Sequence, residues 1–174
     1  MEKGLIQVYT GDGKGKTTAA MGLAIRCAGC GFNVQIIQFM KAWNTGELAS
    51  LKKFENISVK RVCSTKEFSF KWTKKQMDVE KENANACLDD IKDIYKNGID
   101  LLILDEVLGA INAGILDEEM LVSVMNNKPK SMELVITGRN ATKRIIEMAD
   151  LVTEMKVIKH YMDDGVMARK GIEF

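Results

Sequence analysis

Along the chain, short apolar runs alternate with stretches in which apolar residues recur every three or four positions, predicting strands that alternate with helices. The first run, Leu5 to Tyr9, is followed by a helix that begins near Thr17 and ends around Gly29 to Gly31. Asn33 to Phe39 contains Val-Gln-Ile-Ile-Gln-Phe, a β-branched segment suited to a second strand. Residues 40–73 are less regular and hold one short candidate strand, Ile57 to Val62. Irregular segments of that length inside compact domains are commonly functional. Thr73-Lys74-Lys75-Gln76 matches a capping box, in which threonine and glutamine side chains satisfy reciprocal backbone donors at a helix start. Ala84, Cys87, Leu88, Ile91, Ile94 and Tyr95 then repeat at helical spacing and predict one long amphipathic helix closed by Asn97-Gly98.

Ile99 to Leu104 reads as a strand buried on both faces and ends in two carboxylates, Asp105 and Glu106. Asp117 is placed to cap a helix running through Met125. Glu133 to Thr137 gives another strand, Ala141 to Met148 a helix, and Leu151 to Met155 a last strand. Lys156 to Phe174 lacks periodicity and is a candidate for folding back as a lid. The alternation implies an α/β fold over residues 1–174 as a single domain, with a mainly parallel sheet covered by helices on both faces. Ligands of such sheets gather at the carboxyl ends of the strands. The polar motifs fall there and should converge on one rim.

The most informative of them is Thr10-Gly11-Asp12-Gly13-Lys14-Gly15-Lys16-Thr17-Thr18, between the first strand and the first helix. Glycines let backbone N–H groups turn inward around an anion, the helix N-terminus adds partial positive charge, and a lysine neutralises outer phosphates. Thr17 offers a hydroxyl to Mg²⁺. The loop is an atypical phosphate loop, because Thr10 stands where the usual pattern has its first glycine. Asp105-Glu106 reads as its acidic companion: one carboxylate holds the metal directly or through water, and the other orients it or acts as a base.

Composition narrows the picture. With 25 basic and 24 acidic residues, the chain has no global bias toward nucleic acid or anionic membrane. A hydrophobic fraction of 46% suffices for a two-sided core, and no apolar run approaches the length of a membrane span. The first strand follows Met1-Glu2-Lys3-Gly4 without a signal-peptide pattern, so the expectation is a cytosolic protein. Cys27 and Cys30 have the spacing of a metal or redox pair, but with Cys63 and Cys87 they read better as small core residues. His160 is the single histidine, which rules out a histidine-rich metal site.

Together, Val8 to Thr18, Leu104-Asp105-Glu106, Thr137-Gly138-Arg139 and the ending Val157 to Phe174 resemble the ATP:corrinoid adenosyltransferase family of the phosphate-loop type. Ala149-Asp150-Leu151-Val152-Thr153-Glu154-Met155, Lys159-His160, Asp163-Asp164-Gly165-Val166 and Lys170-Gly171-Ile172-Glu173-Phe174 carry the resemblance most specifically. It implies a RecA-like fold, a homodimer, and transfer of the 5′-deoxyadenosyl group of ATP to the cobalt of a reduced corrinoid such as cobalamin, with release of triphosphate. It further implies Mg²⁺ or Mn²⁺, and an electron-donating reductase to supply Co(I).

On this reading Thr10 to Thr18 and Arg139 bind the nucleotide, and Lys16, with Lys14, handles the triphosphate. Thr17, Asp105 and Glu106 lie near the metal. The segment Phe68-Ser69-Phe70-Lys71-Trp72 lies where the family carries an aromatic pair at the corrin's lower face. Phe70 and Trp72 are therefore the candidates for displacing the lower axial ligand, although from the residues alone ordinary core packing is the better account. His160 alone would be structural, and the Lys159-His160 motif makes it a modest site candidate. Many family members extend further before the first strand, and His160-Tyr161-Met162 departs from the commoner proline-containing ending. The phosphate loop and acidic pair by themselves also fit a small-molecule kinase or ATPase, and the aromatics fit a nucleotide-dependent corrinoid-binding module.

Overall fold

Each apolar run becomes a strand of one sheet. The computed structural model describes residues 2–43, 45–67 and 69–174, without the Lys92 side chain; Phe68 of the aromatic segment lies outside the described residues. The strands are β1 (Ile6–Thr10), β2 (Val34–Gln38), β3 (Ile57–Arg61), β4 (Leu101–Asp105), β5 (Glu133–Thr137) and β6 (Leu151–Glu154). All pair in parallel, in the order β3-β2-β4-β5-β1-β6. The helices are α1 (Lys16–Gly29), α2 (Gly46–Leu51), α3 (Lys74–Asp89), α4 (Ile91–Lys96), α5 (Val107–Asn112), α6 (Glu118–Asn127) and α7 (Lys143–Met148). This is the layered α/β arrangement expected of a RecA-like phosphate-loop fold.

The two-residue period of a strand divides the core into two layers. Leu101 and Ile103 of β4 face Ala20, Ala24 and Ala28 of α1, small residues one helical turn apart that let the helix lie close to the sheet. Leu102 and Leu104 face the other way, into the apolar sides of α3, α5 and α6. Every residue of β4 is buried, as its unbroken apolar sequence requires. The opposite extreme is β6, an edge strand whose four residues are all exposed.

Three expectations need correction. The long helix predicted to reach Asn97-Gly98 is two helices: Asp90 ends α3 and starts α4. Asp89 and Asp90 put negative charge at the negative end of the α3 dipole, where it opposes continuation. The irregular stretch contains α2 and a single 3-10 turn at Ser69–Lys71. A short helix, α5, starts directly after Glu106, where the sequence offers no capping signal. The capping box at Thr73 forms as expected, with both reciprocal contacts present. Cys27, Cys63 and Cys87 are buried and Cys30 is exposed at the end of α1, and all four are unpaired thiols.

The burial contrast predicts a stability contrast. Ile103→Ala in the sheet centre should lower unfolding free energy by about 2–5 kcal/mol, whereas Val152→Ala on the exposed edge should change it by less than about 1 kcal/mol. Urea denaturation of the two variants measures both, and equal losses would contradict the two-layer core.

Candidate functional site

The carboxyl ends of the parallel strands share one rim, and the phosphate loop leaves that rim at the end of β1. Gly15 has φ 121° and ψ −11° and turns the chain directly into α1. Gly13 is required by proximity: a Cβ there would stand 2.7 Å from the Met155 carbonyl oxygen, which accepts the Gly13 amide at 2.6 Å. The segment leaving β6 therefore flanks the loop. Thr10, in place of the usual first glycine, is buried and its hydroxyl accepts the Ala141 amide at 3.2 Å, tying the end of β1 to the segment that follows β5.

Lys16 is only 7% exposed. Its ammonium donates to the carbonyls of Gly11 (2.5 Å) and Gly13 (2.8 Å), which hold it under the loop. Burial pushes its pKa below the ordinary lysine value, partly offset by Glu106. Lys14 points elsewhere. It donates to Glu173 at 2.7 Å, the Tyr161 hydroxyl at 3.1 Å and the Ile172 carbonyl at 3.3 Å, so the C-terminal segment folds back onto the phosphate loop. Hydrogen bonds from Lys14 and Tyr161 hold the Glu173 carboxyl far below the usual range, and Arg169 also engages that carboxylate. Thr18 is exposed, and Arg139 makes a 3.6 Å ion pair with Asp12 on the open side of the loop.

β5 stands between β1 and β4. A group on the phosphate loop must therefore cross two strand spacings, about 10 Å, to meet the end of β4. Thr17, in the first turn of α1, makes that crossing and donates to Asp105 Oδ1 at 2.8 Å. Asp105 is fully buried, with 0% exposure. Thr137 of β5 also donates to Oδ1 (2.8 Å), while Gln38 of β2 and Lys41 each donate to Oδ2 at 3.1 Å. Lys41 donates as well to the Thr17 hydroxyl, again at 3.1 Å.

Glu106 has a left-handed backbone, φ 59°, and its amide donates to the Thr137 hydroxyl at 2.9 Å. Gly138 sits opposite with φ 141°, where a Cβ would come within 2.6 Å of Leu108 Cβ; glycine lets α5 start beside β5. Burial, reinforced by Asp105, raises the Glu106 pKa against the opposing pull of Lys41, Lys16 and Arg139.

The aromatic candidates lie in the segment that leaves the carboxyl end of β3, at the far edge of the same rim. Phe70 is 79% exposed on the 3-10 turn. Trp72 is half-buried against the core, and its indole N–H donates to the Glu67 carbonyl at 2.9 Å. Glu80 of α3 fixes the start of this segment: buried, it accepts the backbone amides and hydroxyls of Ser64 and Thr65, at 2.6–2.7 Å for three of the four donors. Burial acts to raise its pKa, and those hydrogen bonds outweigh burial and lower it. The side chain of His160 stays local and accepts the Met162 amide at 3.1 Å.

The structure thus brings Thr17, Asp105 and Glu106 together beside Lys16, and sets Phe70 and Trp72 apart from them along the rim. Sequence reasoning missed Gln38, Lys41, Thr137 as an Asp105 ligand, and Glu80. Two signals were present: Gln38 and Lys41 are polar residues at a strand's carboxyl end, and Glu80 interrupts the apolar face one turn before Ala84.

Comparison with known proteins matches the arrangement. A family described as ATP:corrinoid adenosyltransferase BtuR/CobO/CobP matches residues 2–174. The chain is 34% identical to the corrinoid adenosyltransferase CobA of Salmonella typhimurium, over 99% of this chain and 87% of the relative. It is 34% identical to a corrinoid adenosyltransferase of Pseudomonas aeruginosa, covering 99% and 85%, and 35% identical to one of Sinorhizobium, covering 99% and 81%.

The Glu106 environment predicts a pH signature. An acid whose folded pKa is raised binds its proton more tightly in the native state, so it favours the fold at low pH and loses that contribution as pH rises through the folded value. Above that value the ionised, half-buried carboxylate opposes folding. Glu106→Gln should therefore be more stable than the unaltered chain at pH 7, with the difference shrinking as pH falls through the raised pKa. Chemical denaturation at pH 7 and at successively lower pH measures this, and a variant less stable at pH 7 would contradict the desolvation of this carboxylate.

Proposed function

The chain belongs to the ATP:corrinoid adenosyltransferase family, and from that premise we propose that it transfers the 5′-deoxyadenosyl group of ATP to the Co(I) centre of a reduced corrinoid, with triphosphate as the leaving group. The observation that carries this reading is the Thr17–Asp105 hydrogen bond, which joins the phosphate loop to the acidic strand end within a chain matched over residues 2–174.

Cobalt supplies the electron pair, so the protein needs no serine, cysteine or histidine nucleophile. Its task is to hold C5′ in line with the metal of the corrin and to stabilise the charge that builds on the departing triphosphate. Lys16, the amides of the loop from Gly11 to Thr18 and the N-terminus of α1 suit that task, because their positive charge is fixed before the reaction begins. Lys14 and Arg139 are proposed as outer contacts to the nucleotide.

The oxygen atoms of Thr17, Asp105 and Glu106 fit a hard divalent cation. A buried oxygen beside them, Gln38 Oε1, has no hydrogen-bond partner among the described residues. We therefore propose Mg²⁺ or Mn²⁺ as the metal, bound chiefly through the nucleotide. When bound, the cation neutralises charge on the triphosphate.

At the other end of the rim, exposed Phe70 and anchored Trp72 are proposed to face the lower side of the corrin, displacing its axial ligand and easing reduction to Co(I). A reductase is the proposed electron donor. The exposed edge strand β6 supports a homodimer, and the cytoplasm is the proposed site of action. No helix among the described residues is long and apolar enough to cross a membrane.

Anaerobic incubation with MgATP and chemically reduced corrinoid should give a photolabile Co–C bond together with triphosphate; ADP and phosphate as the only products would overturn the proposal. Lys16→Ala should lower kcat/KM by about 10²–10³-fold with any corrinoid. Trp72→Ala should slow turnover from Co(II) by roughly tenfold and leave turnover from pre-reduced Co(I) nearly unchanged. Equal losses from both starting states would remove Trp72 from the reduction step.

A further inference from the structure

Lys41 is absent from every motif that identifies the site, yet its ammonium stands at the centre of it. The Thr17 hydroxyl directs its proton to Asp105 Oδ1 and accepts Lys41 Nζ at 3.1 Å with a lone pair. A metal held by Thr17 would need the outward lone pair of the same hydroxyl. Lys41 also bonds Asp105 Oδ2 at 3.1 Å, so it spans the two oxygens that a cation would share. Two positive charges cannot occupy that space together, since like-charge contact in a partly desolvated site is strongly repulsive.

The side chain has somewhere to go. Glu47, at the start of α2, lies 4.0 Å from the ammonium, outside hydrogen-bond range but within reach of a small side-chain shift. The backbone is meanwhile fixed: Arg61, the last residue of β3, donates to the carbonyls of Lys41 at 3.1 Å and Trp43 at 2.7 Å. Rotation about the lysine stem is enough, and no loop rearrangement is needed.

We infer that Lys41 is an exchangeable resident cation of the Thr17–Asp105 pair: it holds the pair in its metal-binding geometry, is displaced toward Glu47 when the metal–nucleotide complex binds, and thereby sets how strongly ATP binding depends on the metal. This rests on the proposed metal site and makes Lys41 a positioning residue, acting through Thr17 and Asp105. It explains how a fully buried carboxylate stays compensated at a site whose metal arrives with the substrate. It also assigns Glu47 a role as the receiving anion.

The test is the metal coupling of binding: the ratio of ATP dissociation constants in EDTA and in Mg²⁺, measured by titration calorimetry without corrinoid. In Lys41→Met, which keeps the stem and removes the charge, the ratio should rise roughly tenfold, because the metal no longer competes with an ammonium. Glu47→Gln, which removes the receiving charge, should shift the ratio in the opposite direction. A ratio that is unchanged or smaller in Lys41→Met overturns the inference. So does loss of ATP binding by that variant in both media, which would make Lys41 a direct phosphate ligand. Failure of the unaltered chain to bind ATP at all would overturn the functional reading itself.

Discussion

A single carboxylate organises the site. Asp105 is fully buried, and an isolated charge there would be prohibitively unfavourable. It is compensated by donors from four parts of the chain: Thr17 at the start of α1, Gln38 at the end of β2, Lys41 in the loop that follows, and Thr137 at the end of β5. Only Lys41 carries charge. Each donor is held in place by a different element, so the ends of β2, β4 and β5 and the start of α1 must all be in register for the carboxylate to be satisfied. The rim is consequently rigid where the phosphates are expected, and its geometry is fixed by the sheet rather than by the loop alone.

Thr137 shows how the register is transmitted. The hydroxyl donates to Asp105 and accepts the Glu106 amide, so one side chain on β5 fixes both the buried carboxylate and the left-handed turn that raises its neighbour out of the strand. The two adjacent acids thereby receive unlike surroundings. Asp105 is enclosed by donors, whereas burial and the nearby negative charge of Asp105 raise the Glu106 pKa. Neighbouring carboxylates thus differ in how many donors enclose them.

Much of this was legible in the sequence because local patterns decide it. Six apolar runs gave six strands, and Gly-Lys-Thr after the first of them located the phosphate loop. The capping box at Thr73 is satisfied within four residues and so needs no tertiary context. What was not legible depends on pairing between distant segments. Nothing near Lys41 reveals that β2 will lie beside β4, which is what brings its ammonium to Asp105. Lys14 reads locally as a phosphate ligand, yet it meets Glu173, which is remote in the chain. The break at Asp90 was missed because apolar periodicity continues across it, and the helix dipole is invisible to that pattern.

The strand order also has a temporal side. β1 is the first strand to be synthesised, but its two neighbours, β5 and β6, are the last. β2 pairs with both β3 and β4, and all three are complete by Asp105, so these strands can pair well before β1 has any partner. The Gly13 amide, in turn, finds its acceptor only at Met155. A growing chain therefore makes the glycine-rich loop at the outset and finishes its surroundings at the end, and a chain halted before Leu151 carries that loop with one flank of β1 still open.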